Sequence, residues 1–306
     1  MNKQSFTQSY IQFKLKAREH QVCFREQELG VGYCVYPNVL SKEDAKRGLV
    51  FCPIFRDEIL EHLRQPIPPT SSKPSGQMLT NLLRSEHIPY NIFFPMQKDL
   101  TGCRDMFNAI LGRCEIAEIS EISIEYHPEP IKDYLGDHTA FDVYISYFDS
   151  DNHPCGIGIE VKYTEKEYPL NPHTREYRHV KDEQGNTRLY PPYLKATIDS
   201  QYYRNEISHD MLISNTFRQI WRNHILGASM VTKGKIRKFT SITLYPEANV
   251  HFSAVAMPRY QAMLSTKGQE TFKALTYEKL FELMDCYLSI ERADEWIGYL
   301  KRRYLF

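Results

Sequence analysis

Residues 141–165 read F-D-V-Y-I-S-Y-F-D-S-D-N-H-P-C-G-I-G-I-E-V-K-Y-T-E, and the fold turns on this stretch. Phe141, Val143, Ile145 and Tyr147 alternate with Asp142, Tyr144 and Ser146; farther on, Ile157, Ile159, Val161 and Tyr163 alternate with Gly158, Glu160 and Lys162. Period-two alternation with β-branched enrichment predicts two strands, and the Asp/Asn/Pro/Gly cluster between them predicts a hairpin loop. Alternate side chains on a strand share a face, so Glu160 and Lys162 point the same way, and Asp142 lies on the less aliphatic face of its own strand. If the strands pair, two carboxylates and an ammonium converge on one side of a sheet, a costly trio to bury without a task.

Paired carboxylates suit a hard divalent cation such as Mg2+, which takes oxygen ligands and keeps several waters. A cation held so activates water and stabilises charge on a phosphoryl group, and a neighbouring lysine adds positive charge where the transition state is most anionic. On an ordinary surface hairpin the same residues would make only a charge pair. An Asp followed by Glu-x-Lys on the next strand resembles the PD-(D/E)XK nuclease superfamily, carried here by Asp142, Glu160 and Lys162. Asp44-Ala45-Lys46 also fits the second half of that pattern, but it has no upstream Asp and no strand signal.

The resemblance implies an α/β restriction-endonuclease-like core, a mixed sheet flanked by helices, extending from Met78 to the C-terminus. Ile116–Tyr126 alternates well enough to be its first strand. Asp133 and Asp137 compete with Asp142 for the metal, but they fall in a predicted loop. The backbone carbonyl of Val161 joins Asp142 and Glu160 as an implied metal ligand. Glu86, near the expected end of a helix begun by Met78, Leu79, Leu82 and Leu83 and stopped by Pro89, matches by order a carboxylate that reaches the metal in relatives. Ser214–Ala228 predicts the best helix, capped by Ser214 or Asn215, with Phe217, Ile220, Trp221, His224, Ile225 and Ala228 on one face. Its Q-I-W-R-N-H-I-L run, following I-E-V-K-Y-T-E, is similar to a bacterial group of restriction endonucleases. That likeness implies Gln219 as a brace of the catalytic set and Arg222 as a phosphate contact. Gln201 has the same Q-x-x-R-N spacing without the apolar helix face.

Lys233, Lys235, Arg237 and Lys238 form the densest positive run and are candidate contacts to a nucleic-acid backbone. Residues 168–193, rich in Tyr, Arg and His, fit either a nucleic-acid contact or a solvated loop. Lys+Arg and Asp+Glu balance at 38 each, which argues against coating nucleic acid by bulk charge but leaves room for a local basic cleft. Seven cysteines without a C-x-x-C pair suggest free thiols in a reducing compartment. No apolar run is long enough for a membrane span and the first ten residues lack a signal-peptide core, so a cytoplasmic protein is expected.

Residues 66–76, within the stretch Gln65–Gly76 (Q-P-I-P-P-T-S-S-K-P-S-G), read as a linker between an accessory region, 1–65, and a nuclease-like domain, 77–306. The expected activity is Mg2+-dependent endonucleolytic hydrolysis of DNA, of restriction or defence type, with Mn2+ able to substitute and RNA left open. A homodimer is implied by analogy with enzymes that cut both strands. The competing readings are a nucleic-acid-binding or assembly protein that keeps the fold without catalysis, and a scaffold in which the three residues form a structural ion-pair network.

Overall fold

The computed structural model describes residues 3–71 and 75–306, with side chains from residue 7 onward. Five strands form one sheet: β1 (Ile116–Tyr126), β2 (Phe141–Asp149), β3 (Pro154–Val161), β4 (Phe239–Tyr245) and β5 (Phe272–Thr276), in spatial order β1-β2-β3-β4-β5. The first two pairings are antiparallel and the last two parallel. The β2–β3 hairpin closes in a tight turn in which the Asp149 carboxylate accepts the backbone N–H groups of Asp151 and His153. Parallel pairing of β3 with β4 requires a crossover, and the helix Arg218–Thr232 lies within it.

Strand alternation sorts the core into two layers. Val143, Ile145, Ile157, Ile159, Val161, Ile242 and Leu244 pack with the helices Ile88–Met96, Leu100–Leu111, Tyr277–Tyr287 and Ala293–Tyr304. On the opposite face Tyr144 and Phe239 meet Trp221, Ile225 and Met230 of the Arg218–Thr232 helix, together with Tyr193 and Tyr260. Phe141 joins this second layer instead of continuing the alternation of β2, because its ring fills the space over Gly158. A Cβ on Gly158 would stand 2.5 Å from that ring.

Several local expectations are corrected. Residues 77–83 form turns, and the helix begins at Ile88, with Pro89 in its first turn rather than at its end. Proline is favoured there because the first N–H groups of a helix have no intrahelical partner. The best helix starts at Arg218, not Ser214, and runs to Thr232 without a side-chain cap; Asn215 Oδ1 instead accepts from the Arg218 guanidinium. Within residues 168–193 a short helix, Arg175–Val180, is followed by a bridge between Lys181 and Thr187. No alternation in the sequence predicts strand β5.

Residues before position 66 share the first core layer with the sheet: Phe24, Leu49, Phe51 and Ile59 are buried among its members. The Arg303 guanidinium of the last helix donates to the Val50 carbonyl, and Asn91 bonds both Val50 O and the Tyr304 hydroxyl. Of the stretch expected to be a linker, residues 72–74 lie outside the described residues; Ser71 bridges Tyr126 of β1, and the Thr70 carbonyl accepts from His127 N at 2.7 Å. Among the described residues no helix is long and apolar enough to cross a membrane.

Candidate active site

Strand register places the acidic side chains. Tyr144 pairs with Gly158 and Val143 with Ile159, so Asp142 falls level with Glu160 on the neighbouring strand. Ile124 pairs with Val143 and Tyr126 with Phe141, so Glu125 falls level with Asp142 on the other side. Three carboxylates therefore stand in a row across β1, β2 and β3.

Lys162 lies one residue beyond β3, yet its N–H still bonds Leu244 O at 2.8 Å, and the Tyr277 hydroxyl holds its carbonyl at 2.7 Å. Anchored at both backbone groups, it turns its ammonium back to Glu160 Oε1 and to Gln219 Oε1. The other Glu160 oxygen accepts from the Asn223 amide, one turn along the helix from Gln219. Asp142 Oδ2 accepts the Val161 N–H at 2.6 Å, and its other oxygen has no hydrogen bond among the described residues. A pocket of about 160 Å³ opens here, lined by His138, Thr139, Ala140, Asp142, Glu160, Gln219, Arg222 and Asn223.

The helix reaches this close because of Gly227. Gln219, Asn223 and Gly227 recur every four residues on one ridge, and a side chain at Gly227 would run into the Phe239 ring of β4. With only hydrogen there, the ridge settles onto the sheet and its two amides meet the Glu160–Lys162 pair.

The electrostatics are those of crowded like charges with one resident cation. Burial, then the Glu160 and Glu125 carboxylates, push Asp142 well above the usual carboxylate range, against the pull of Lys162 and the Val161 N–H. Burial, then Glu160 and Glu86, push Glu125 up to about 7. Burial alone would pull Lys162 down, but Glu160, Asp142 and Glu165 raise it to about 12. At neutral pH Lys162 is thus a charged donor, unable to take a proton.

The remaining sequence candidates are distributed unevenly. Glu86 precedes the Ile88–Met96 helix, accepts from Ser75 and Arg84, and acts on Glu125 electrostatically. Arg222 lines the pocket, but its guanidinium is taken up by Asp137 at 3.0 Å and Glu176 at 2.9 Å, with Thr139 and the Tyr193 hydroxyl completing its bonds. Asp137, the loop competitor for the metal, is committed to this network. Lys233, Lys235, Arg237 and Lys238 precede β4, at the opposite end of the strands from Glu160. Lys238 there pairs with Asp149 and Glu115.

The sequence alone assigns no role to two side chains at the site. Asn223 is visible in sequence only as a residue one turn after Gln219. Glu125 is one of three glutamates on β1, with Glu118 and Glu121, and nothing short of the register distinguishes it.

The donor set suits a hard divalent ion: carboxylate oxygens in excess of positive charge, and one Asp142 oxygen unengaged. Elsewhere among the described residues, ligand atoms of Asp149, Asp151 and His153 lie within 4.8 Å of one another at the hairpin turn. That group is less suited to a cation. Asp149 Oδ1 already accepts from two backbone N–H groups, and Lys238 stands 3.1 Å from Oδ2.

A mixed five-stranded sheet with helices on both faces, carrying two acids and a lysine where antiparallel pairing gives way to parallel, defines a restriction-endonuclease-like α/β protein. The chain belongs to the PD-(D/E)XK nuclease superfamily, whose family model matches residues 8–306, nearly its whole length. Membership supports a nuclease-type function on nucleic acid, in a superfamily that generally uses divalent metals. No curated protein and no solved structure matches the chain.

Proposed function

We propose that the protein is a Mg2+-dependent endonuclease that hydrolyses DNA phosphodiester bonds, of the restriction or defence kind, with Mn2+ able to substitute. The observation that carries the reading is that Asp142 and Glu160 line one open pocket, Asp142 accepting the Val161 N–H while Lys162 on the next residue bonds Glu160. Asp142, Glu160 and the Val161 carbonyl would hold the ion, with Glu86 contributing only at a distance. When bound, the ion lowers the pKa of a ligated water and offsets charge on the phosphoryl oxygens. Lys162, protonated, orients the attacking water through its N–H groups and stabilises negative charge growing on the phosphorus oxygens. Water oxygen bonds to phosphorus as one P–O ester bond breaks; the attacking water releases a proton to solvent, and the departing oxygen takes one from solvent. Gln219 holds the Lys162 ammonium beside Glu160.

Arg222, with both carboxylate partners satisfied, belongs to this reading as a support of the pocket wall. Lys233, Lys235, Arg237 and Lys238 belong to it as contacts to nucleic acid beyond the scissile position. A second copy acting on the opposite strand completes the proposal for duplex substrates.

The test is cleavage of plasmid and linear DNA by purified protein in Mg2+ or Mn2+, with Asp142→Ala and Lys162→Ala alongside. The wild type cuts, both variants lose at least about 100-fold, in line with removal of a transition-state charge stabiliser, and both melt as cooperatively as the wild type. Failure of the wild type on varied DNA and RNA substrates sinks the reading. Binding of DNA without any cutting would favour the non-catalytic alternative.

A further inference from the structure

We propose that Asn223 is a positioning residue for the metal-binding carboxylate, one half of a two-amide clamp that the Arg218–Thr232 helix closes on the Glu160–Lys162 pair. The inference rests on the nuclease reading and adds a residue to it.

The clamp is matched in polarity. An ammonium has only donors, so Gln219 must present its carbonyl oxygen to Lys162; a carboxylate has only acceptors, so Asn223 must present its NH2 group to Glu160. Two amides four residues apart on one ridge are thus turned opposite ways, each toward the charge it complements. The arrangement is dry: Asn223 is 4 % exposed, Glu160 7 % and Lys162 5 %.

Each partner of the site is held differently. Asp142 is fixed by a backbone N–H, and Lys162 by two backbone bonds besides Gln219. Glu160 has no backbone donor to its carboxylate among the described residues. Its side chain is oriented by Lys162 at Oε1 and by Asn223 at Oε2 alone. The Lys162 ammonium is also the group that must face the substrate, so Asn223 is the partner that fixes Glu160 while Lys162 acts. Losing it leaves a buried carboxylate oxygen unpaired and free to swing away from Asp142.

The experiment titrates Mn2+ into the full-length protein by calorimetry, without nucleic acid, and measures kcat and KM for DNA cleavage separately. It uses the wild type, Asn223→Ala, Asn223→Leu and Asn223→Gln. The Leu variant keeps bulk without a donor; the Gln variant keeps the amide one methylene farther out, with the neighbouring pocket to accommodate it. The expected result is a loss of about 10- to 100-fold in Mn2+ affinity for the Ala and Leu variants, as for other residues that orient metal ligands, with a parallel fall in kcat. KM stays within about twofold, and the Gln variant recovers at least part of both losses. Thermal melts identify any variant that fails to fold, and the Leu and Gln pair then decides. If Asn223→Leu binds Mn2+ and cuts like the wild type, the clamp is wrong and the nuclease reading stands. If the wild type neither binds Mn2+ nor cuts, the nuclease reading fails and takes the clamp with it.

Discussion

Glu125 shows what a single side chain contributes to this site and what it costs the fold. It has a positive φ of 57°, a left-handed conformation uncommon for a residue with a side chain, and it stands beside Asp142 with no compensating hydrogen bond among the described residues. Crowding raises its carboxyl from an ordinary value near 4.5 to about 7. The sign of the consequence follows from proton counting. Between those two values the folded chain holds a proton that the unfolded chain has released, so stability falls as pH rises through this window and levels off above it. Asp142 is shifted the same way. EDTA-treated protein should therefore melt lower at pH 8 than at pH 5.5 from these two groups. Glu125→Gln should raise the midpoint at pH 8, by an amount on the order of 1–3 kcal/mol or several degrees, and barely change it at pH 5. Comparing variant with wild type cancels the opposite trend from buried histidines such as His224 and His251, which burial lowers from 6.5 to about 3 and about 4. Superimposable pH dependences of the two proteins would rule out the crowded-carboxylate account.

At the scale of elements, the approach of the Arg218–Thr232 helix to β4 governs the site as much as any polar residue does. Gly227→Ala gains helix propensity, about 1 kcal/mol, but drives a methyl into the buried Phe239 ring. Overpacking of this kind costs about 1–3 kcal/mol, and relief by lifting the helix would draw Gln219 and Asn223 off the ion pair. The expected outcome is a lowered thermal midpoint together with a larger proportional loss of cleavage than the melt alone explains. A variant as stable and active as the wild type would show that the helix does not need this contact. The same packing explains what could be read in advance. Strands β1 to β3 and most of the Arg218–Thr232 helix announce themselves, because the two-residue alternation or the 3.6-residue period survives in the sequence. The Ile88–Met96 helix does not: nearly all its residues are buried and it carries two prolines, so it has no polar face to mark its period. Strand β5, five residues at the sheet edge, is too short for a pattern. Asp142, Glu160, Lys162 and Gln219 were legible as residue types on predicted elements, whereas Asn223 and Glu125 depend on helix-to-sheet distance and strand register.

Across the whole molecule the charges balance, so any grip on nucleic acid depends on where the cations sit. Lys233, Lys235, Arg237 and Lys238 are exposed, but they precede β4 at the level where β3 begins, while the acidic cluster lies where β3 ends. Gly156 is level with Phe239 and Glu160 with Thr243, a separation of about 13 Å along the strands, and Lys233 and Lys235 lie before that span begins. On the proposed nuclease reading, contacts made there would act on phosphates away from the one being cut. Reversing Lys233 and Lys235 together to Glu should weaken DNA binding several-fold at low salt and flatten the dependence of log affinity on log salt by about 1–2 units, one phosphate contact accounting for about 0.9. The turnover rate at saturating DNA should stay within about twofold of the wild type, because neither lysine reaches the Asp142–Glu160–Lys162 cluster. Binding measured over a salt series, paired with single-turnover cleavage at saturation, separates the two effects. A fall in the saturated rate with an unchanged salt slope would mean that this end of the sheet communicates with the chemistry rather than with the nucleic-acid backbone.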